Sequence, residues 1–151
     1  MNDGVKGLGH FEGKIHVLPL RVYYEDTDLS GVVYHANYLR YMERARTEFF
    51  RLAGVERMAE LEAEDPTAWT IREVKVSYHR AARVDDALTV RTRLAALSGA
   101  RIGAVQKIYA GEILLVDGRI EACIVTLKGQ PRRLPQQLRD LLTPYLAETD
   151  T

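Results

Sequence analysis

The fold of this 151-residue chain is decided where a strand-like run meets a helix-like run, at Tyr24-Glu25-Asp26-Thr27-Asp28-Leu29-Ser30-Gly31-Val32-Val33-Tyr34-His35-Ala36-Asn37-Tyr38. This stretch holds two aspartates one residue apart, then a glycine, and then a histidine just before the helix-like run. The first turn of a helix carries backbone N–H groups without partners and a partial positive charge. The stretch therefore predicts a strand end, a tight loop and a helix start in one place, where a carboxylate can lie beside backbone donors.

Downstream of this stretch, the spacing of apolar residues predicts a long helix over residues 38–53. Asn37 is expected to cap its start, and Gly54 to end it. Apolar residues recur at intervals of three and four, as on one face of a helix, at Tyr38, Tyr41, Met42, Ala45, Phe49, Leu52 and Ala53. The aromatic rings in this stripe indicate a helix buried against a broad surface such as a sheet.

The remaining segments are rich in β-forming residues. Strands are predicted within residues 15–24, 69–80, 88–94, 102–109 and 113–127, with a bulge near Arg72 and Glu73. Local turn chemistry would make Asp117-Gly118 a hairpin. Short helices are predicted over residues 58–64 and 135–147. The order of strand, long helix and mostly antiparallel strands predicts an α+β domain whose sheet curves around the helix.

Composition bounds the class of protein. Lys+Arg and Asp+Glu both number 21, giving a formal net charge of zero, whereas nucleic-acid-binding proteins usually carry a basic excess. Cys123 is the only cysteine, which excludes an internal disulfide and a cysteine-rich zinc site. No run reaches the ~18 apolar residues of a membrane helix. We expect a cytoplasmic protein without a nucleic-acid partner, with a flexible N-terminal tail at residues 1–14 and a single domain at residues 15–147.

Three motifs carry information beyond these local patterns. They are Arg21-Val22-Tyr23-Tyr24-Glu25-Asp26-Thr27-Asp28, then Gly31-Val32-Val33-Tyr34-His35-Ala36-Asn37-Tyr38-Leu39, then Met42-Glu43-Arg44-Ala45-Arg46-Thr47-Glu48. Together they strongly resemble the hotdog-fold acyl-CoA thioesterases, within them the 4-hydroxybenzoyl-CoA thioesterase group, and most closely its Tol-Pal-associated branch. The similarity extends over roughly residues 17–137, and a motif of this length is far more specific than a short one.

The resemblance implies an α+β hotdog fold, with a five-stranded antiparallel sheet wrapped around a long central helix. It places Asp117-Gly118 inside the last strand rather than in a hairpin. It also implies a homodimer in which two sheets join, or a tetramer of two such dimers, and peripheral association with proteins of the cell envelope. The substrate would be an acyl-CoA.

By the same resemblance, Asp28 is the catalytic carboxylate, and the backbone N–H of His35 faces the thioester carbonyl. Thioester hydrolysis needs an activated water or a nucleophile, and a donor for the oxyanion that develops on the carbonyl. A carboxylate can fill either of the first two roles, and a helix N-terminus can be the donor. The sequence leaves the choice between base and nucleophile open. Coenzyme A arrives as part of the substrate, so neither a metal nor a separate cofactor is expected.

Nine further residues are candidates for substrate binding. The candidates near Asp28 and His35 could line the acyl pocket, and the basic ones could bind the phosphates of coenzyme A through forked hydrogen bonds. Turn, core and solvated-surface roles are the ordinary alternatives for such residues. The candidates are Tyr24, Gly31, Val33, Tyr34, Asn37, Arg101, Lys128, Arg132 and Arg133. Asp26 is interpreted as mainly structural, as an acceptor of N–H bonds within the loop.

The sequence leaves two other functions open. A hydratase or dehydratase acting on acyl thioesters would pair a histidine with an acid or an asparagine, and His35 with Asn37 could form such a set. A non-catalytic acyl-CoA-binding protein of the cell envelope machinery is suggested only by the Tol-Pal-associated branch. The placement of Asp28 favours hydrolysis, which alone of the three releases a free thiol.

Overall fold

The structure, a computed structural model, describes residues 8–56, 59–60 and 64–150. Its strands are β1 (His10–Glu12), β2 (Ile15–Arg21), β3 (Ala59–Glu60), β4 (Thr67–Tyr78), β5 (Ala87–Leu97), β6 (Arg101–Ala110), β7 (Ile113–Thr126) and β8 (Pro131–Arg132). Its helices are α1 (Asn37–Leu52) and α2 (Gln136–Leu142), with single 3₁₀ turns at Tyr24–Asp26 and Thr143–Tyr145.

All strands of the described residues form one antiparallel sheet. Their order is β1-β2-β5-β6-β7-β4-β3, and β8 lies beside β7. The predicted α+β hotdog architecture is confirmed, and the five long strands β2, β4, β5, β6 and β7 are those that were expected. The strand count differs, because three strands of two or three residues extend the sheet.

One of the added strands lies inside the expected N-terminal tail. Gly13 has φ +63°, a conformation that glycine adopts without strain, and it lets the chain reverse directly after β1. His10, Phe11 and Glu12 then pair with the start of β2. Regular structure therefore begins before residue 15.

Helix α1 confirms most of the predicted stripe, and its ends differ slightly from the prediction. The first five stripe residues are buried, but Leu52 is 36% exposed and Phe50, at 8%, replaces it in the core. Asn37 is the first helical residue, and Ala36 occupies the cap position without a side-chain bond. Gly54 follows the helix with φ +106°, as a terminating glycine should.

The strands after the helix settle three local predictions. Asp117 and Gly118 lie within β7, so the hairpin predicted from the Asp-Gly pair is wrong and the placement implied by the family is confirmed. The predicted bulge is present as a register shift between Ile71 and Glu73. The helix predicted over residues 58–64 is wrong at 59–60, which pair as strand β3 with the start of β4. Residues 57–58 and 61–63 lie outside the described residues.

The core is distributed along α1 in two clusters. One surrounds the first half of the helix and includes Val22, Val33 and Tyr38. The other surrounds its second half and includes Phe49 and Leu142. The helix packs chiefly against β5 and β2. The loop that leaves β2 and leads into α1 therefore lies against the helix start.

Candidate active site

The loop between β2 and α1 is closed by its own backbone. Thr27 forms a β-bridge with Val33, and the N–H of Asp28 donates to the carbonyl of Val32 at 2.9 Å. The N–H of Gly31 donates back to the carbonyl of Asp28 at 3.1 Å. Gly31 has φ +83°, so this tight reversal suits a residue without a Cβ. The loop thus presents Asp28 at its tip.

The carboxylate of Asp28 is exposed and ionised at neutral pH. Its Oδ1 accepts hydrogen bonds from the hydroxyl of Ser30 at 2.5 Å and from the N–H of Ser30 at 2.8 Å. These bonds, the hydroxyl first, hold the pKa of Asp28 below its usual value of 3.8. Such a carboxylate can accept a proton from water or attack a carbonyl carbon.

The start of α1 offers a backbone donor close to this loop. The N–H of His35 has no acceptor within the described part of the chain, while its carbonyl accepts a hydrogen bond from the Tyr78 hydroxyl at 3.1 Å. The half-exposed ring of Tyr34 lies against the imidazole of His35, with ring centroids 4.6 Å apart. An N–H at a helix start can donate to a nearby oxygen atom and stabilise negative charge on it.

Asp26 ties the loop to the helix. Its carboxylate accepts the N–H of Tyr23 at 2.8 Å, and its carbonyl accepts the N–H of Tyr34 at 2.9 Å and the side-chain amide of Asn37 at 2.8 Å. The predicted role of Asp26 as an acceptor of N–H bonds is confirmed. The buried Tyr41 hydroxyl is next to this aspartate, and burial together with the Asp26 charge raises the pKa of Tyr41 far above its usual value. Asp26 and its partners therefore fix the position of the loop that carries Asp28 relative to α1.

The remaining candidates near Asp28 differ in their surroundings. Val33 is 3% exposed and belongs to the core, and its N–H donates to the carbonyl of Ala82 at 2.8 Å. Tyr24 is 84% exposed on the 3₁₀ turn that precedes the loop. Asp28 and six of the other predicted positions lie on the segment from the end of β2 to the first residue of α1. They are Tyr24, Gly31, Val33, Tyr34, His35 and Asn37.

The four basic candidates lie elsewhere in the same chain. Arg101 pairs across the sheet with Cys123, which in turn faces Thr70 on β4. Tyr78, beside the helix start, is eight residues further along β4, which is about 26 Å at ~3.3 Å per residue. Lys128, Arg132 and Arg133 follow β7 at that same distant end. Within one chain the structure does not bring these residues to Asp28.

Two of these basic residues already have acidic neighbours. Arg101 forms an ion pair with Glu121 at 3.4 Å, and Arg132 with Asp65 at 3.3 Å. Both pairs are well exposed, so each contributes little to stability and can be exchanged for another anion.

Two residues of the site were not singled out from the sequence. Tyr78 is the last residue of a strand, and only the folded chain shows that its hydroxyl reaches the carbonyl of His35. Ser30 stands two residues after an aspartate, a spacing typical of local turns in which an Asp side chain accepts a nearby N–H. The Asp-x-Ser spacing could therefore have predicted the contact between Ser30 and Asp28.

Residues 8–56, 59–60 and 64–150 contain neither a cluster of metal ligands nor a membrane-spanning helix. No group of three or more His, Cys, Asp and Glu side chains in them is arranged to hold a metal ion. No helix in them is both long enough and apolar enough to cross a membrane.

An antiparallel sheet curved around one helix, with an ionised aspartate on the loop that leads into the helix, defines a hotdog-fold protein with a site suited to chemistry at a carbonyl group. The family model of the thioesterase-like superfamily matches residues 22–142, and the chain belongs to that superfamily.

Individual relatives agree with this assignment. Acyl-CoA thioester hydrolase YbgC of Escherichia coli O6:H1 is 40% identical over 122 residues, which cover 80% of this chain and 90% of that protein. Acyl-CoA thioesterase YbgC of Haemophilus influenzae is 38% identical over 122 residues, covering 80% and 89%. The crystal structure of a probable thioesterase from Bartonella henselae superposes with a TM-score of 0.76 at 40% identity, covering 80% of this chain and 98% of that one.

Proposed function

We propose that this protein hydrolyses acyl-CoA thioesters to a free carboxylic acid and coenzyme A, with Asp28 as the catalytic carboxylate. The observation that carries the proposal is that one closed loop holds both the exposed, ionised Asp28 and, seven residues later at the start of α1, the N–H of His35, which has no acceptor in the described residues. The relatives named as acyl-CoA thioester hydrolases support the reaction and the substrate class.

Two routes through Asp28 give the same products. As a base, Asp28 takes a proton from water while the water oxygen attacks the thioester carbon. As a nucleophile, Asp28 attacks that carbon itself, expels the thiolate and forms an anhydride that water then hydrolyses. In both routes the N–H of His35 donates to the carbonyl oxygen as negative charge develops on it. The thiolate of coenzyme A leaves as an anion, so a strong general acid is not required.

The surrounding residues divide into those that touch substrate and those that hold the loop. We assign Tyr24, Gly31, Tyr34 and the imidazole of His35 to the path of the acyl-CoA, because they are exposed around Asp28. Val33 and Asn37 act instead through the loop, because their polar groups bond to Ala82 and Asp26. The engagement of the Asn37 amide also argues against the His35–Asn37 pair that a hydratase would use.

We propose that the protein acts as a homodimer joined through β4. The outer edge of this strand pairs with β3 only at Thr67 and Ala68. Beyond them, the outer backbone edge has no strand partner among the described residues, and the side chains of Ile71, Val74 and Tyr78 are exposed. A second copy adding its own β4 would satisfy both features.

Such a dimer gives the distant basic residues a role. Arg101, Lys128, Arg132 and Arg133 would bind coenzyme A phosphates only if the far end of one protomer lies near the catalytic loop of the other. Light scattering during size-exclusion chromatography separates a monomer, a dimer and a tetramer of two dimers.

Cellular placement is a proposal of the same kind. We propose that the protein works in the cytoplasm, and the unpaired thiol of Cys123 is compatible with a reducing compartment. Peripheral association with envelope proteins rests on the resemblance to the Tol-Pal-associated branch alone. Fractionation of cells, with and without salt washing of the membranes, tests both statements.

The reaction is tested by thiol release from a panel of short, long and aromatic acyl-CoAs. Asp28→Asn should lower turnover by at least about 10²-fold, the lower end of the contribution of a positioned acid or base. Asp140→Asn, an exposed aspartate on α2, is the matched control and should leave turnover unchanged. Full turnover by Asp28→Asn would remove Asp28 from the mechanism. Absence of thiol release by the wild type with every acyl group would overturn the hydrolase assignment.

Isotopically labelled water gives a positive test for the anhydride route. In a single turnover, the anhydride route places the label in the Asp28 carboxylate when water attacks the aspartyl carbonyl of the anhydride. The base route places all of the label in the released acid. Mass spectrometry of the peptide that contains Asp28 reads the difference.

A further inference from the structure

Residues 146–150 reach the outer face of the sheet, which points away from α1. Gln106 of β6 is buried and faces α1, whose backbone it contacts. Successive side chains of a strand alternate between its two faces, so Lys107 lies on the outer face, and the register of the sheet places Arg93 of β5 there as well. The carboxylate of Asp150 contacts both cations. Its Oδ1 accepts the Nε–H of Arg93 at 2.9 Å, and its Oδ2 accepts a hydrogen bond from Nζ of Lys107.

The same segment takes over from β2 along the edge of β5. Strand β2 pairs with β5 as far as Thr92. Beyond that residue, Leu146 forms a β-bridge with Leu94, and the N–H of Ala147 donates to the carbonyl of Leu94 at 3.0 Å. Lys14 donates to the carbonyl of Leu146 at 3.0 Å. An uncovered strand edge is a template for pairing with another chain, and this segment covers it.

The two parts of this segment are held by different forces. Leu142 is fully buried, and Tyr145 and Leu146 pack against the same apolar cluster. Residues 148–149 are exposed, and Asp150 is anchored by its carboxylate. Segments that bury little apolar surface open at a lower free energy than the core. Residues 147–150 should therefore open while the apolar part before them remains in place.

The ion pairs are sheltered enough to hold the segment closed at neutral pH. The side chain of Arg93 is 11% exposed and that of Asp150 is 40% exposed. Burial alone would raise the pKa of Asp150, but Lys107 and Arg93 together hold it below its usual value. The bond to Asp150 in turn raises the pKa of Lys107. Networks of charges contribute more than isolated surface pairs, although salt screens them.

We propose that residues 147–150 form an ionic latch, which covers the edge of β5 and releases it when the ion pairs of Asp150 are screened or broken. Val105 lies opposite Arg93 on the outer face, yet it is only 3% exposed. Release exposes Val105 and the carbonyl of Leu94, and a second copy of the chain then associates through this edge. The latch does not include the loop that carries the proposed catalytic carboxylate, so it does not depend on the hydrolase assignment.

Hydrogen exchange at the backbone amide of Ala147 reports the closed latch. Asp150→Asn should lower the protection of this amide at least about tenfold, because charge-assisted hydrogen bonds are roughly twice as strong as neutral ones. The buried N–H of Val22, which bonds to the carbonyl of Asp86, is the internal reference and should keep its protection. Raising NaCl from about 0.1 M to about 1 M shortens the Debye length from ~10 Å to ~3 Å. The salt should therefore lower the protection of Ala147 in the wild type and have little effect in Asp150→Asn.

Two further variants separate the latch from a general effect of charge. Glu12→Gln breaks the 3.0 Å ion pair between Glu12 and Arg91, two residues from Arg93 on β5. This matched control should leave the exchange of Ala147 unchanged. Asp150→Glu retains the charge and should recover part of the protection lost in Asp150→Asn. Light scattering at high protein concentration should show assemblies larger than those of the wild type for Asp150→Asn and not for Glu12→Gln.

Several outcomes would overturn the proposal. Unchanged protection of Ala147 in Asp150→Asn would show that apolar packing, and not charge, closes the edge of β5. An equal loss in Glu12→Gln would assign the effect to the net charge of the protein. Faster exchange of Val22 to the same extent would mean that the whole domain opens and that the latch is not a separate unit. Faster exchange of Ala147 without larger assemblies would show that the segment does not prevent association through this edge.

Discussion

Replacing Asn37 by alanine distinguishes positioning of the catalytic loop from direct contact with substrate. The side-chain amide of Asn37 donates one hydrogen bond, to the carbonyl of Asp26 at 2.8 Å. That carbonyl retains its second donor, the N–H of Tyr34 at 2.9 Å. The substitution therefore removes one bond without leaving a buried acceptor unpaired, and alanine is well tolerated at the first position of a helix.

The magnitude follows from that single bond. A neutral intramolecular hydrogen bond contributes about 0.5–1.5 kcal/mol. If the whole loss appears in the transition state, kcat falls by about 2- to 13-fold, since ~1.4 kcal/mol corresponds to a factor of ten. If the loss appears in folding, a chain of this size melts about 2–4 °C lower for each kcal/mol.

The assay is steady-state thiol release with an acyl-CoA that the wild type hydrolyses, together with a thermal melt. We expect kcat to fall while KM stays within about twofold, because Asn37 acts through Asp26 and not on the substrate. Arg40→Ala, an exposed position on the next turn of α1, is the control and should change neither constant. A rise in KM at unchanged kcat would refute this reasoning and return Asn37 to the substrate-binding residues.

Two further predictions concern pH. Ser30→Ala removes the hydroxyl bond that contributes most to lowering the pKa of Asp28. The acid limb of the pH profile of kcat/KM, which lies below pH 3.8 in the wild type, should therefore move to higher pH. A limb that does not move would mean that Asp28 is not the titrating group. His16 is fully buried, and burial lowers its pKa below 6.5, so the unfolded state binds a proton more readily and the free energy of unfolding should fall as pH drops below about 6.5. His16→Gln keeps a donor for the Leu8 carbonyl, which Nε2 of the imidazole contacts at 3.0 Å in the wild type. The variant should flatten the pH dependence of the free energy of unfolding in denaturant titrations. An unchanged pH dependence would mean that another group causes it.

Periodicity predicted the long helix and the five long strands because each has one buried face. It failed where the tertiary structure decides which face is buried. Leu52 continues the apolar stripe, but the sheet covers the side of α1 that carries Phe50 instead. Gly118 follows an aspartate as in a hairpin, yet it lies in mid-strand, where an added Cβ would come within 2.9 Å of Met42. The glycine leaves room for the tip of the Met42 side chain, which would have to shift if a Cβ were added, and it does not mark a turn.

The site divides in the same way. The motif placed Asp28 and His35 on one segment between β2 and α1, because strand end, loop and helix start are contiguous in sequence; their catalytic roles stay predictions. The contacts around these two residues could not be predicted from the motif. The Tyr78 hydroxyl donates to the carbonyl of His35 from another strand, and the Asn37 amide donates to the carbonyl of Asp26 instead of capping α1. The basic residues were selected by charge alone, and charge carries no information about which end of a sheet a residue occupies.

The strand order also governs the sequence of events during folding. β4 pairs with β7, whose first residue is 35 positions after the end of β4 in the chain. Contacts between distant segments form slowly because a long loop must close first. Until β7 is available, β4 is an unpaired strand carrying Val74 and Val76, a pattern that favours aggregation of nascent chains. Arg72 and Lys75 interrupt that apolar pattern, as charged residues do beside strands that are exposed before folding is complete. Replacing them would therefore lower the yield of refolding at high protein concentration before it changed the stability of the folded domain.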